Sequence, residues 1–168
     1  MTLESEKLLD ETGWRLLEEL QQNARLSYKE LGQRVGLSLP SVAERLRRME
    51  EAGIITGYHA EVNLTRVGLP LLAIIRLGSF VGQSCNQVAS QVSEIPEVLE
   101  CYKVTGTDCV VVKVVAASID HLERIIEQLS LSGPAATSVV FSRPMKRYTI
   151  TRELLERAES EHIDNTPK

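Results

Sequence analysis

The sequence predicts an α+β chain in two parts, an N-terminal helix-turn-helix unit of winged-helix-like type followed by a C-terminal ferredoxin-like βαββαβ domain. Three observations carry that prediction. Up to about Gly53 the apolar residues recur at helical spacing. A Gly-containing turn bounded by capping serines divides the second helical stretch from the third. From Pro70 onward, strand-like and helix-like stretches alternate in the order of the split βαββαβ motif.

The first helix is marked by Leu9, Leu16, Leu17 and Leu20, the second by Tyr28, Leu31 and Val35, the third by Val42, Leu46 and Met49. Ser27-Tyr28-Lys29-Glu30 fits a capping box: the serine oxygen accepts from the N–H three residues on, and the glutamate reaches back to the serine N–H. Helix two therefore starts at Ser27. Gly36-Leu37-Ser38 supplies a residue able to take the left-handed helix-ending conformation, a hydrophobe for the core and a new N-cap. Pro40 falls in the first turn of helix three, where its missing N–H costs nothing. Ile54 to Val62 is rich in β-formers and predicts a short hairpin or single strand leaving the helical unit. Asn63 to Leu69 reads as a linker.

In the second part, Leu71 to Phe80, Glu97 to Thr105, Asp108 to Ala116 and Ala135 to Phe141 are the predicted strands. Helices are predicted over Ser84 to Ile95, with Val88, Ala89 and Val92 inward, and over Ile119 to Leu131, with Leu122, Ile125, Ile126 and Leu129 inward. The strand from Asp108 has apolar residues at both parities, Val110, Val112 and Val114 against Cys109, Val111 and Val115, interrupted by Lys113 alone. A face that met water would carry polar residues. The second face is therefore expected to be covered by a second copy, since a cyclic pair buries one patch against itself. Thr151 to Lys168 is charge-dense, with Arg152/Glu156, Glu153/Arg157 and Arg157/Glu161 at i,i+4, and predicts a solvated helix with a frayed tail. The expected boundaries are 1–62, a linker at 63–69, 70–146, and 147–168.

With 168 residues, 43 % hydrophobic and 25 % charged, the chain can bury a core and is neither disordered nor collagen-like. A net charge of −4 argues against a protein basic all over, while leaving room for a local basic patch. No apolar run reaches the roughly 18 to 20 residues of a membrane helix. Met1 to Asp10 carries Glu4, Glu6 and Asp10 where a leader would be basic and then apolar, so a cytoplasmic location without membrane contact is expected. Cys85, Cys101 and Cys109 are odd in number, widely spaced and without a C-x-x-C. They read as small buried hydrophobes rather than as a disulfide framework or a zinc site.

With Val42, Leu46 and Met49 inward, the opposite face of helix three holds Pro40, Glu44, Arg47, Arg48 and Glu51, with Ser41 and Arg45 on its flanks. From Arg25 to Arg48, six basic residues stand against two acidic ones, a basic region in an acidic chain. Arginine contacts phosphates and pairs bidentately with guanine O6 and N7, so this face is a candidate DNA-binding surface. Ser38, Pro40, Ser41 and Glu44 are assigned to base-edge proximity and Arg45, Arg47 and Arg48 to bases and phosphates, with Ser27 at the start of helix two in the same DNA-facing set. The competing reading pairs the arginines with Glu44, Glu50 and Glu51 on a wet helix face.

Tyr102 to Val110 reads as two strands joined by a two-residue Gly106-Thr107 turn of type II′. In that register Cys101 opposes Val112 and Cys109 opposes Val104, on opposite faces, so Cys101 and Cys109 should not bond to each other. Exposed N–H groups around the glycine suit a carboxylate and Asp108 suits an ammonium group, so Thr105, Gly106, Thr107 and Asp108 form a candidate site for a free amino acid. The competing reading makes Gly106 and Asp108 simple turn formers. His59, His121 and His162 are far apart, and the chain has no Ser/His/Asp motif or phosphate loop. No enzyme activity, cofactor or metal is expected.

Leu9-Asp10 opens the first helix and Leu20-Gln21-Gln22-Asn23-Ala24-Arg25 closes it. Gly36-Leu37-Ser38, the run from Val42 to Glu50, Gly53-Ile54-Ile55-Thr56-Gly57-Tyr58, Pro96-Glu97-Val98 and the run from Cys101 to Asp108 follow in order. This ordered set resembles the leucine-responsive, or feast/famine, regulators of the Lrp/AsnC family, over about Leu9 to Phe141. The resemblance implies a winged-helix-like DNA-binding domain and a ligand-responsive α/β domain that dimerises and often builds octamers around a ring. It also implies a small amino acid effector held between dimers, near the hairpin at Gly106 to Asp108 and near the last strand. Asp108 matches the family's aspartate, and Thr137 matches a last-strand threonine of the ligand pocket. Gly13 stands where an aspartate is usual, Ala135 replaces another threonine, Cys109 replaces the common aromatic, and the hairpin is one residue shorter than in many members.

The resemblance points to a sequence-specific regulator of transcription that binds double-stranded DNA as a homodimer or octamer and responds to a small amino acid. Two alternatives remain at this point: a siroheme-type tetrapyrrole decarboxylase on the same scaffold, which needs a pocket lined by histidine and arginine, and a protein-binding helix-turn-helix sensor.

Overall fold

The computed structural model describes residues 7–145 and 149–164. Glu4 and Glu6, the tail residues 165–168 expected to fray, and the side chain of His162 lie outside the described residues. Along the chain the elements are α1 (Glu11–Gln22), α2 (Tyr28–Val35), α3 (Leu39–Glu51), a 3-10 turn (Thr65–Val67), β1 (Leu71–Leu77), α4 (Cys85–Ser93), β2 (Val98–Lys103), β3 (Val110–Ala116), α5 (Ile119–Ser130), β4 (Ala135–Val139) and α6 (Arg152–Asp164). They divide into two compact units, residues 1–60 with 146–168, and residues 61–145.

In the first unit each of α1 to α3 begins on a side chain that accepts one of the N–H groups a helix start leaves unpaired. Asp10 accepts from Gly13 at 2.8 Å. Ser27 accepts from Glu30 at 3.2 Å while the Glu30 carboxylate takes the Ser27 N–H at 2.8 Å, completing the capping box. Ser38 accepts from Ser41 at 3.4 Å, with Pro40 in the first turn behind it. α2 ends on Gly36 at φ 78°, the left-handed conformation the Gly-Leu-Ser turn requires. Leu16, Leu31, Val42, Leu46 and Met49 are fully buried between the three helices, whereas Tyr28 is half-exposed and takes no part in that core.

Gly13 has a steric reason. A Cβ there would lie 1.9 Å from the Leu8 carbonyl oxygen, so the aspartate usual at this position would push the preceding turn away. The C-terminal segment folds into the same unit. The Gln21 amide donates to the Ile150 carbonyl at 2.9 Å and accepts from the Ile150 N–H at 2.7 Å, satisfying both backbone groups as a neighbouring strand would. α6 carries the expected Arg152–Glu156 pair, at 2.6 Å.

The second unit is a four-stranded antiparallel sheet in the order β2-β3-β1-β4. Ala73, Ile75, Leu77, Val110, Val112 and Val114 alternate onto the face covered by Val88 and Val92 of α4 and Leu122, Ile125 and Leu129 of α5. The other face mixes Leu72, Ile74, Val111 and Val115 with Arg76, Glu100, Tyr102 and Lys113. Lys113 pairs with Glu100 there at 2.6 Å.

Three expectations are corrected. Residues 54–62 form no strand: Ile54 and Ile55 donate to the Met49 carbonyl at 2.9 and 3.2 Å and pack on the helical core. A strand needs an adjacent edge, and the described part of this unit, being helical, offers none. The β2–β3 hairpin is not joined by a two-residue turn. Its strands stop at Lys103 and Val110, with one further bond from the Val104 N–H to the Cys109 carbonyl at 3.2 Å, so residues 105–108 form a four-residue bend. The cysteines, finally, are not all free thiols: Cys85, the first residue of α4, is disulfide-bonded to Cys109, and Cys101 alone is free. Strand alternation placed Cys109 away from the helices, but it lies between the bend and the start of β3, where alternation does not hold, and its side chain enters the helix-covered core. Cys101 does oppose Val112, as the register predicts.

Candidate nucleic-acid interface and effector site

α3 owes its exposed face to its buried one. With Val42, Leu46 and Met49 inside, Pro40, Ser41, Glu44, Arg47, Arg48 and Glu51 are exposed, and Ser38 sits at the helix start with its hydroxyl 2.7 Å from that of Ser41. Pro40 brings no N–H to that end and Ser38 takes the N–H of Ser41, so the Leu39 N–H and the positive end of the helix dipole are what favour an approaching phosphate there. An open cleft of about 380 Å³ adjoins it, lined among others by Lys7, Asp10, Ser41, Arg45 and Arg48. Ser27 is exposed at the start of α2, its hydroxyl engaged by Glu30.

The three arginines are differently placed. Arg45 turns inward: its side chain is 22 % exposed and pairs with Asp10, the cap of α1, an acid outside its own helix. The Arg45 hydrogen bond is the main reason the Asp10 carboxyl is held below its ordinary value. Arg47 is bracketed by Glu44, at 2.7 Å, and Glu51 on its own helix, which hold it firmly protonated. Arg48 is exposed on the same outer surface. Sequence reasoning missed Asp10 as the partner of Arg45, because its pattern on α1 read only as a helix start. It also missed Tyr58, whose hydroxyl donates to Glu50 at 2.9 Å and is pushed up to about 12 by partial burial and by that carboxylate.

In the second unit, Thr105, Gly106 and Thr107 are exposed in the bend and Asp108 is half-buried. Thr137 lies on β4 opposite Ile75, exposed at the edge of the sheet. Two strand spacings, about 10 Å, separate β3 from β4, so one chain does not bring Thr137 to the bend. His121 is held at the start of α5, its Nδ1 accepting from the Ala117 N–H at 3.3 Å and its Nε2 lying 3.1 Å from Glu97. Among the described residues no group of three or more His, Cys, Asp or Glu side chains could hold a metal ion, and no helix is long and apolar enough to cross a membrane.

A capped helix-turn-helix and an α+β sandwich with an exposed hairpin, carried on one chain, are the parts of a ligand-responsive DNA-binding regulator. Residues 9–56 match the winged helix-turn-helix DNA-binding family, and residues 72–154 match the Lrp/AsnC ligand binding domain. The chain is 34 % identical over 134 residues to the HTH-type transcriptional regulator LrpC of Bacillus subtilis, covering 80 % of this chain and 92 % of that one. It is 42 % identical over 135 residues to the proline dehydrogenase transcriptional activator of Rhodobacter capsulatus, covering 78 % and 88 %. Among solved structures it is similar to the transcriptional regulator NMB0573 of Neisseria meningitidis in complex with L-Met, with a TM-score of 0.76 at 30 % identity over 84 % of this chain and 94 % of that one. The chain belongs to the Lrp/AsnC family of transcriptional regulators, with a helix-turn-helix DNA-binding domain and a ligand-binding domain. The decarboxylase alternative is not favoured: these relatives are named as regulators, and His121 is engaged in fixing a helix start.

Proposed function

We propose that this regulator works in the cytoplasm, reading a specific double-stranded operator with the outer face of α3. Ser38, Pro40, Ser41 and Glu44 lie toward base edges, with Arg47, Arg48 and Ser27 toward phosphates. The observation that carries this reading is the exposed, serine-capped N-terminal end of α3, with Arg48 on the same surface. Arg45 belongs to the same basic region but acts on DNA indirectly, by fixing α3 against Asp10.

A small amino acid serves as effector, its carboxylate at the backbone N–H groups of residues 105–107 and its ammonium at Asp108. Thr137 comes from a second copy, since within one chain it lies two strand spacings across the sheet, about 10 Å, and is level with Val112 rather than with the bend. That requirement, together with the half-apolar second face of the sheet, favours a homo-oligomer built on dimers. The effector acts by binding one assembly state better than another.

Binding to the DNA upstream of its own gene, followed by fluorescence anisotropy across a salt series, tests the reading. Tight binding should fall steeply with salt, and Arg48→Ala should weaken it across all sequences and reduce the salt slope by about 1. An unchanged slope removes Arg48 from the interface, and absence of binding at low salt refutes the assignment of α3.

A further inference from the structure

We propose that Cys85 and Cys109 form a reversible thiol–disulfide site that sets the conformation of the bend at residues 105–108. Its consequence for amino acid binding rests on the effector reading above; the switch itself does not. The two Cα atoms lie 5.0 Å apart, a separation a disulfide spans without backbone movement. The ends of the bond differ. Cys85 is exposed on the first turn of α4, while Cys109 is 4 % exposed and adjoins Asp108. Cys109 also closes the bend through its backbone, donating to the Leu77 carbonyl at 2.7 Å and accepting from the Val104 N–H at 3.2 Å.

The bond therefore ties the start of α4 to the residue that ends the bend. Lys103, at the other foot of the hairpin, reaches the same turn of α4 through Asn86. α4 itself does not depend on the cross-link. The Ser84 oxygen accepts from the Gln87 N–H at 3.3 Å and the Gln87 side chain accepts from the Ser84 N–H at 2.8 Å, so its start stays capped when the sulfurs part. Opening the bond releases the bend and leaves the helix.

The chemistry uses small molecules of two classes. A peroxide oxidises the Cys85 thiolate to a sulfenic acid with loss of hydroxide, and the Cys109 sulfur then displaces the sulfenic oxygen. In sum, two thiols and one hydrogen peroxide give one disulfide and two waters. In the other direction a thiolate attacks the exposed Cys85 sulfur and releases Cys109 as thiolate, and a second thiolate frees Cys85 while the reductant becomes its own disulfide. Such reducing thiols dominate a cytoplasm, so a bond with one exposed end is poised to open there.

The test is thiol counting by alkylation and mass spectrometry on the full chain after dithiothreitol or hydrogen peroxide, with amide exchange over residues 104–109 on the same samples. Three alkylated cysteines are expected after reduction and one, Cys101, after peroxide, with exchange in the bend slowed about tenfold in the oxidised form. Cys85→Ser should exchange fast after either treatment, and Cys101→Ser should switch like the parent chain. Three free thiols after peroxide, a bond that survives millimolar dithiothreitol, or equal exchange in both states overturns the proposal. Amino acid titration of both forms separates the two readings: a bend that switches while neither form binds any amino acid sinks the effector and leaves the switch standing.

Discussion

The two units reach their sites by opposite routes. In the helical unit α1, α2 and α3 are each capped from within three residues, and the buried stripe of α3 dictates by its periodicity which residues face outward. In the sheet unit the candidate site sits where the ladder of the β2–β3 hairpin gives out, and a bond between residues 24 apart in the chain holds it. A site on one capped helix is fixed by local chemistry; a site in a bend is fixed by contacts that no short window contains. Any experiment that damages one unit and spares the other tests this division.

The largest effects are expected in the cores. Leu46→Ala in α3 and Ile75→Ala in β1 each empty a fully buried position and should cost about 2–5 kcal/mol in their own unit. Trp14 is the single tryptophan, lies in α1 and is 9 % exposed, so its fluorescence reports the helical unit alone. Leu46→Ala should lower the denaturation midpoint seen by Trp14 while amide exchange in β1 and β3 stays slow, and Ile75→Ala should do the reverse. If both probes shift together in either variant, the units unfold as one and the division fails.

Legibility in the sequence followed the same line. Ser27, Gly36, Ser38 and the stripe of Val42, Leu46 and Met49 were readable because caps and periodicity act within a turn or two. The succession of strands and helices and the Cys101/Val112 register were readable because periodicity and alternation constrain them. What escaped was the disulfide, since nothing in the spacing of Cys85 and Cys109 says that the start of α4 lies over the foot of the hairpin. The pairing of Arg45 with Asp10 escaped for the same reason: it joins α3 to the cap of α1 across the packed unit. Residues 54–62 were misread as a strand because β-propensity reports a side-chain preference for pleated surfaces, and no such surface is available there.

A smaller effect probes whether a local device works alike in both settings. Ser27 in the helical unit and Ser84 in the sheet unit make the same capping box. Ser27→Ala and Ser84→Ala should each cost about 1 kcal/mol, read from urea midpoints. Equal losses show that the cap is indifferent to its surroundings. A much larger loss at Ser84 under reducing conditions would mean that α4 leans on the disulfide for its start, against the independence drawn from its capping box.

The smallest effect comes from one ion pair in each unit, Asp10–Arg45 and Glu100–Lys113. Both carboxyls are held below their ordinary values, Asp10 chiefly by the hydrogen bond from Arg45 and Glu100 chiefly by that from Lys113. A carboxyl with a lowered folded pKa binds fewer protons folded than unfolded. Its stabilisation is complete above the unfolded values of 3.8 and 4.5 and is lost as pH falls through the folded ones. With side chains 51 % and 39 % exposed, solvent screening leaves each pair about 0.5 kcal/mol. Urea midpoints at pH 7 and pH 3 should therefore converge slightly in Asp10→Asn for the Trp14 signal and in Glu100→Gln for sheet amide exchange. The two should not be equal at pH 7. Removing either acid strands a cation that is 22 % exposed, but only Arg45 has an Nε already buried without a hydrogen-bond partner, so the helical unit should lose closer to 1 kcal/mol. A smaller loss at Asp10 than at Glu100 would mean that Arg45 swings out to solvent when released, which would return it to the set of arginines able to reach DNA directly.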